Sequence, residues 1–306
     1  MPDNVAEVQG LSRKFGQQFA LHNVSLNIPK GLVCGLVGAN GAGKTTLIKH
    51  LLGLLKAKSG TVRVFGLDPV TCPVEVLGRI GYLSEEREMP EWMRVDELLR
   101  YTAAFYPGWD WSYAKELIET FGLDGRKKVS ALSKGMRAQT GLIAAVTHRP
   151  QLLVLDEPST GLDPIVRKDI LNTIIRTVSD EGRTVIFSSH LLDEVELMSD
   201  HLFMMDGGKV AVQGGLDEIK SRHQVVSVRW NGSGKQRQIE SVLSTEQFGE
   251  SWRLVCEGSS DQVRQWIGED GGVILNLRSA SLQEIFSARA GRAGAVQEGT
   301  IACAHQ

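Results

Sequence analysis

Near the N-terminus, Val24, Leu26 and Ile28 alternate with Ser25, Asn27 and Pro29. That is the period of a half-buried strand, and residues 1–30 are expected to form short β segments. Leu32–Val37 is different: it is apolar almost throughout. Such runs belong to strands buried on both faces, the habit of parallel sheets covered by helices. Two more runs of this kind follow, at Leu152–Leu155 and Thr184–Phe187. Between them Asp163 can cap a helix and Pro164 suits its first position, while Ile170, Leu171, Ile174, Ile175 and Val178 are expected to share one apolar face. Strand, helix and strand with continuous apolar strands imply an α/β core.

Two stretches break this rhythm. Residues 86–149 read as a mostly helical insertion carrying Trp92, Tyr101, Phe105, Tyr106, Trp109, Trp111 and Tyr113. By itself such a cluster fits helix packing or a docking surface, with packing the ordinary case. After about Gly215 the texture changes again. Val226, Val228 and Trp230 alternate with Ser227 and Arg229, and Trp252, Leu254 and Cys256 with Arg253, Val255 and Glu257. A helix is expected from Ser260, with Val263, Trp266 and Ile267 on one face, and another from Ser281, where Ser281 and Glu284 make a capping box and Gly291 a stop. The expected division is therefore 1–215, a small α+β domain at 216–291, and a disordered Gly/Ala-rich tail at 292–306.

Composition narrows the class. Thirty-four basic against 36 acidic side chains leave a net charge of −2, which argues against a nucleic-acid coat or a polybasic membrane tether. The longest apolar runs, Leu51–Leu55 and Leu142–Val146, fall far short of the ~18 residues of a membrane span. The opening Met-Pro-Asp-Asn lacks the charged and apolar regions of a signal peptide. Cys34, Cys72, Cys256 and Cys303 form no C-x-x-C pair, so a disulfide framework and a zinc site are both disfavoured and a reduced cytosolic compartment fits. Glycine is in excess, 33 of 306 residues, about 11% against a usual ~7%. The excess concentrates between Gly31 and Gly66.

That region holds the first chemical motif. Gly38-Ala-Asn40-Gly41-Ala-Gly43-Lys44-Thr45 matches G-x-x-x-x-G-K-[ST]. Its glycines let a tight loop point N–H groups at phosphate oxygens, and the helix expected over Thr46–Leu55 adds its positive end. Lys44 should reach the β- and γ-phosphates, and the Thr45 hydroxyl should ligate Mg²⁺. A chance match is on the order of 1% at average composition, and here a buried strand precedes the loop as the motif requires. Asp156 and Glu157 end the apolar run at Leu152. Asp156 should help hold Mg²⁺, and Glu157 can polarise a water for attack on the γ-phosphate. Ser133 stands at the N-cap of a helix over Arg137–His148, where N–H groups and a hydroxyl can face an anion. His190 ends the strand that begins at Thr184, near the strand termini where ligands bind.

Taken together, the chain resembles the ATP-binding subunits of ABC transporters over about residues 1–215. The motif order is the family's: P-loop 38–46 including Thr46, signature Leu132–Met136, Walker B Leu152–Glu157, D-loop Ser159–Asp163, switch histidine His190. Phe15 stands where the family places an aromatic that stacks on adenine. Tyr106–Trp111, the Leu-Ser-Lys-Gly-Met signature and Ser281–Phe286 look like the single-cassette subfamily serving exporters of drugs and antibiotic peptides, with acetoin-related members nearby. The resemblance implies a RecA-like P-loop NTPase core with an antiparallel β subdomain and a helical insertion. It implies ATP hydrolysis with Mg²⁺ and a head-to-tail dimer, with a second copy or a paralogue, in which Ser133, Gly135 and Asp163 meet the partner's nucleotide. It also implies a separate membrane-spanning permease subunit, no nucleic-acid partner, and a place on the cytoplasmic face of the cell membrane. The family's signature has Gly and Gln where Lys134 and Met136 stand, and Glu85 replaces the Q-loop glutamine in Gly81-Tyr-Leu-Ser-Glu85. Glu85 is then a candidate for both the catalytic and the metal site. The rival reading is a soluble ABC-type ATPase that remodels a ribosome or a nucleic-acid complex. Such proteins show two cassettes, a long coiled coil or a basic surface. A catalytically dead subunit is disfavoured by Lys44, Asp156, Glu157 and His190.

Overall fold

The structure, a computed structural model, describes residues 4–179, 182–230 and 241–289. The tail at 292–306, Gly291 and Cys303 lie outside the described residues, as does the Val178 side chain. The described chain forms two compact units that divide after Val212.

The first unit opens with β1 (Asn4–Phe15) and β2 (Gln18–Pro29), paired antiparallel. After β3 (Val33–Val37) come α1 (Lys44–Leu51) and β4 (Ser59–Val64), which pairs with the other edge of β1. This three-stranded sheet buries Val24, Leu26 and Ile28, the side chains that the alternation marks, together with Leu21. They share one apolar cluster with Leu47, Ile48 and Leu51 of α1 and with Leu36 and Phe203.

The chain continues through α2 (Pro73–Leu77), β5 (Ile80–Leu83), α3 (Val95–Ala103), α4 (Trp111–Thr120), α5 (Lys134–Val146), β6 (Leu152–Asp156), α6 (Pro164–Ser179), β7 (Thr184–Ser189), α7 (Leu192–Met198), β8 (His201–Asp206) and β9 (Lys209–Gly215). A six-stranded sheet runs in the order β5-β6-β7-β3-β8-β9, with β3, β5, β6, β7 and β8 parallel. Every residue of β3, β6 and β7 is buried, as expected of strands covered on both faces. The fold of this unit is mixed α/β.

Several local expectations are revised. The helix after the P-loop stops at Leu51 rather than Leu55. Gly53 turns the chain at φ +70, where a Cβ would lie 2.3 Å from the Pro69 carbonyl oxygen. On α6 the inward residues are Ile170, Thr173 and Ile174; Ile175, one step of about 100° further round, is exposed. Within the stretch read as an insertion, α5 lies directly on β5. A Cβ at Gly81 would come within 2.0 Å of the Ala145 carbonyl oxygen, so only glycine lets the two backbones meet there. The aromatics divide. Tyr113 is buried beneath the Arg149 guanidinium and Tyr106 stacks on His148 at 3.8 Å, while Trp92, Tyr101, Phe105 and Trp111 are exposed.

The second unit comprises α8 (Leu216–Ser221), β10 (His223–Trp230), β11 (Val242–Phe248), β12 (Ser251–Glu257), α9 (Ser260–Glu269), β13 (Gly272–Ser279) and α10 (282–289). Its antiparallel sheet, ordered β11-β12-β10-β13, packs Val226, Val228, Leu254 and Cys256 against Val263 and Ile267 of α9. At α10 the Glu284 carboxylate accepts the Ser281 N–H at 2.8 Å and the Ser281 hydroxyl accepts the Glu284 N–H at 3.3 Å, a closed capping box.

Candidate functional site

Strand register brings the chemical residues to one edge. Val37 pairs with Ser189 and Asp156 with Ser188. The loops that begin at Gly38, Glu157 and His190 therefore leave the sheet side by side at its carboxyl end, where open α/β sheets bind ligands. A cleft of about 410 Å³ opens there, lined by the 39–46 loop together with Phe15, Phe19, Glu85 and Glu157.

The loop is a cradle by construction. Gly41 takes φ +82 with open space where a Cβ would stand, and Gly43 takes φ +104, where a Cβ would come within 2.4 Å of the Ala20 carbonyl oxygen. Gly43 is the N-cap of α1 and offers no side chain to its first N–H groups, and the first turn holds no acid. Those donors and the positive end of the helix dipole are left to an anion. Lys44 folds back over the loop. Its Nζ donates to the Gly38 carbonyl at 2.7 Å and stands 3.3 Å from Glu157 Oε1. Asn40, Thr45 and Thr46 also line the cleft.

Asp156 and Glu157 are both buried, at 1% and 5% exposure, and one hydroxyl fixes them. Ser188 Oγ donates to Asp156 Oδ1 at 2.6 Å and accepts the Glu157 N–H at 2.9 Å. Glu157 sits at φ +49, an unusual conformation for a residue with a side chain. Its Oε2 accepts from Thr160 Oγ1 at 2.9 Å and from His190 Nδ1 at 2.8 Å. Burial alone would raise the Glu157 pKa. The hydrogen bonds from Thr160 and His190, then the charges of Lys44 and His190, outweigh burial and hold it below the ordinary carboxylate value. A carboxylate kept ionised beside a phosphate cradle, with a histidine behind it, can take a proton from a water.

Phe15 is half exposed at the cleft, with the Arg13 guanidinium 5.0 Å from its ring centre. Phe19 lines the same wall beside it, and sequence reasoning passed over it. Glu85 reaches the cleft from the loop after β5. Ser133, Gly135 and Asp163 do not line the cleft. Ser133 is exposed and caps α5, its hydroxyl accepting the Met136 N–H at 3.2 Å. Asp163 caps α6 through the Ile165 and Val166 N–H groups, both at 3.1 Å. The two helix starts adjoin, since a Cβ at Gly135 would press on Val166 at 3.1 Å.

Ser188, Arg87 and Glu194 bind the site together from outside every motif, and Thr160 does so from within the 159–163 loop, where the motif assigns it no role. Glu194, 3% exposed on α7, accepts from Ser159 Oγ at 2.7 Å and Ser189 Oγ at 3.1 Å and pairs with Arg167. Doubling of Ser188 and Ser189 before His190 is the one trace in the sequence.

Comparison with known proteins agrees with this geometry. Residues 21–160 match the family model described as ABC transporter. The chain is 35% identical to the daunorubicin/doxorubicin resistance ATP-binding protein DrrA of Streptomyces peucetius, over 80% of this chain and 76% of that one. It is 33% identical to the bacitracin transport ATP-binding protein BcrA of Enterococcus faecalis, over 72% of each. Among solved structures, an ATP-binding subunit of an ABC transporter superposes with a TM-score of 0.65 at 28% identity, covering 71% of this chain and 92% of the other.

Proposed function

The chain belongs to the ABC transporter family as an ATP-binding subunit, and from that premise we propose that its ATP hydrolysis drives a separate membrane-spanning subunit of an exporter. The carrying observation is Glu157, which touches both Lys44 of the phosphate cradle and His190 at the end of β7.

In this reading the 38–46 loop and Lys44 hold the ATP phosphates, and Phe15 stacks on the adenine. Mg²⁺ suits the donors present, which are the hard oxygens of the Thr45 hydroxyl and the Asp156 carboxylate, with Glu85 at the cleft as a third. When bound with ATP it would neutralise developing charge on the phosphates. Glu157 takes a proton from the attacking water, and His190 orients Glu157 through its Nδ1–H. Ser133, Gly135 and Asp163, which lie away from the cleft of their own chain, meet the nucleotide of a partner cassette in a head-to-tail dimer. The partner is a second copy or a paralogue.

No helix among the described residues is long and apolar enough to cross a membrane. In this reading the spanning subunit is a separate polypeptide, and this chain works as a peripheral subunit on the cytoplasmic face. The exposed Trp92, Tyr101 and Phe105 follow the Glu85 loop and offer apolar area to a short helix of that subunit. Export is favoured by relatives named for drug resistance and bacitracin transport. The unit after Val212 is read as an accessory domain.

Glu157→Gln tests the reading. It should bind ATP as wild type does, lose most turnover because an amide is a far weaker base, and accumulate as an ATP-bound dimer. Equal hydrolysis by wild type and Glu157→Gln would remove Glu157 from the role of base.

A further inference from the structure

Arg87 is 8% exposed in an acid-rich stretch, between Glu85, Glu86 and Glu88. Exposed acids on both sides would suit a guanidinium turned outward. It is turned inward instead. Nη2 donates to the Pro158 carbonyl at 3.1 Å and to the Thr160 carbonyl at 3.0 Å, while Nε is buried without a hydrogen bond. Burial lowers the Arg87 pKa and the Glu85 charge opposes that shift. Burying a cation against neutral carbonyls is costly, so the arrangement is kept for its geometry rather than for stability.

The two carbonyls flank Ser159 in the turn that follows Glu157. The turn is gripped on its other side by Glu194, through Ser159 Oγ at 2.7 Å. Its Thr160 hydroxyl donates to Glu157 Oε2 at 2.9 Å. A path of two side-chain contacts thus joins Arg87 to the carboxylate at the cleft. Both ends of that path carry backbone strain: Arg87 sits at φ +50 and Glu157 at φ +49. Non-glycine residues hold such angles at a cost and cluster at working sites.

We propose that Arg87 is a positioning residue for hydrolysis: it fixes the 158–160 turn and, through Thr160, the carboxylate of Glu157. Movement of the 85–88 loop then changes the alignment of Glu157 without changing the phosphate cradle. This rests on Glu157 acting as the base, and the experiment separates the two claims.

Kinetics of the purified chain test it, with ATP affinity measured separately by titration calorimetry. Arg87→Met should lower kcat at least tenfold while the Kd for ATP stays within about twofold. Arg87→Lys, which can still donate to a carbonyl, should recover part of the lost rate. Thr160→Val should lower kcat similarly. The double variant Arg87→Met with Thr160→Val should be no slower than Thr160→Val alone, because both act through one hydroxyl. Wild-type kcat in Arg87→Met, a parallel loss of ATP affinity, or multiplying effects in the double variant would each overturn the proposal. If Arg87→Met does not fold, Arg87→Lys with Thr160→Val runs the same cycle. An inactive Glu157→Gln beside a fully active Arg87→Met would sink this proposal alone; an active Glu157→Gln would sink the reading beneath it.

Discussion

Lys44 Nζ lies 3.3 Å from Glu157 Oε1, with 7% and 6% of the two side chains exposed. The lysine proposed to bind phosphate and the candidate base are therefore partners in this state of the cleft. A triphosphate competes for Lys44, and once the lysine turns to it, Glu157 loses one of the charges that hold its pKa down. Its basicity then rises when there is something to hydrolyse. Lys44→Met should accordingly do two things. It should weaken ATP binding at least tenfold in a titration, and it should lower the melting temperature of the nucleotide-free protein by leaving a buried carboxylate without its cation. A variant that lost ATP affinity but melted with wild type would show that the pair is incidental to the empty state.

Ser133 separates capping from ligand binding. Its hydroxyl caps α5, so Ser133→Ala should cost about 1 kcal/mol of stability. Aspartate is an equally good cap, so Ser133→Asp should restore the melting temperature. Its carboxylate would face the partner's γ-phosphate, so the ATP-bound dimer formed by Glu157→Gln should disappear when Ser133→Asp is added. Size-exclusion chromatography with ATP reads this directly, and a dimer that survives Ser133→Asp would confine the residue to capping.

His148 is buried, stacked on Tyr106, with Nε2 3.1 Å from the Ile80 carbonyl oxygen. A carbonyl only accepts, so Nε2 carries the proton. Burial, with the charge of Arg183 in the same direction, lowers its pKa from 6.5 to about 4. A folded-state value below the unfolded one means that the contribution to stability is whole above pH 6.5 and is lost as the pH falls through about 4. The wild-type melting temperature should thus drop more steeply across that window than that of His148→Gln, which keeps a donor for Ile80 and does not titrate. Parallel curves would refute it.

What the sequence made legible follows from locality. The buried runs at Leu32, Leu152 and Thr184 were readable because strands covered on both faces need no polar positions. The phosphate cradle was readable because its loop, lysine and hydroxyl are contiguous. Contacts between distant segments were not. Ser188 sits 32 residues from Asp156, and Arg87 sits 73 from Thr160; only register and loop packing join them. Ile175 was misplaced because apolarity alone does not separate the inner stripe of α6 from its border, whereas the polar Thr173 is buried with a hydroxyl bonded to the Asp169 carbonyl at 2.9 Å. The exposure of Trp92, Tyr101 and Phe105 was equally hidden, since composition does not say which aromatics a fold turns outward.

Glu85 offers the last test. It lines the cleft, at the position where the family resemblance implies a glutamine, and it precedes Arg87 by two residues. A carboxylate oxygen can contact Mg²⁺ or the attacking water as an amide oxygen does, and as a hard anionic donor it suits Mg²⁺ at least as well. It also adds negative charge near the γ-phosphate, which Lys44 and Mg²⁺ must offset. Glu85→Gln keeps the oxygen and sheds the charge, so turnover should change by no more than a few-fold. Glu85→Ala removes the oxygen. It should lower kcat about tenfold and blunt the stimulation by the membrane subunit, while the affinity for ATP alone is retained because the cradle and Lys44 are untouched. Raising the Mg²⁺ concentration should recover part of the rate in Glu85→Ala if the lost contact is to the metal, and none if it is to the water. Wild-type hydrolysis and transport by a purified Glu85→Ala complex would place the Q-loop role on another residue of this chain.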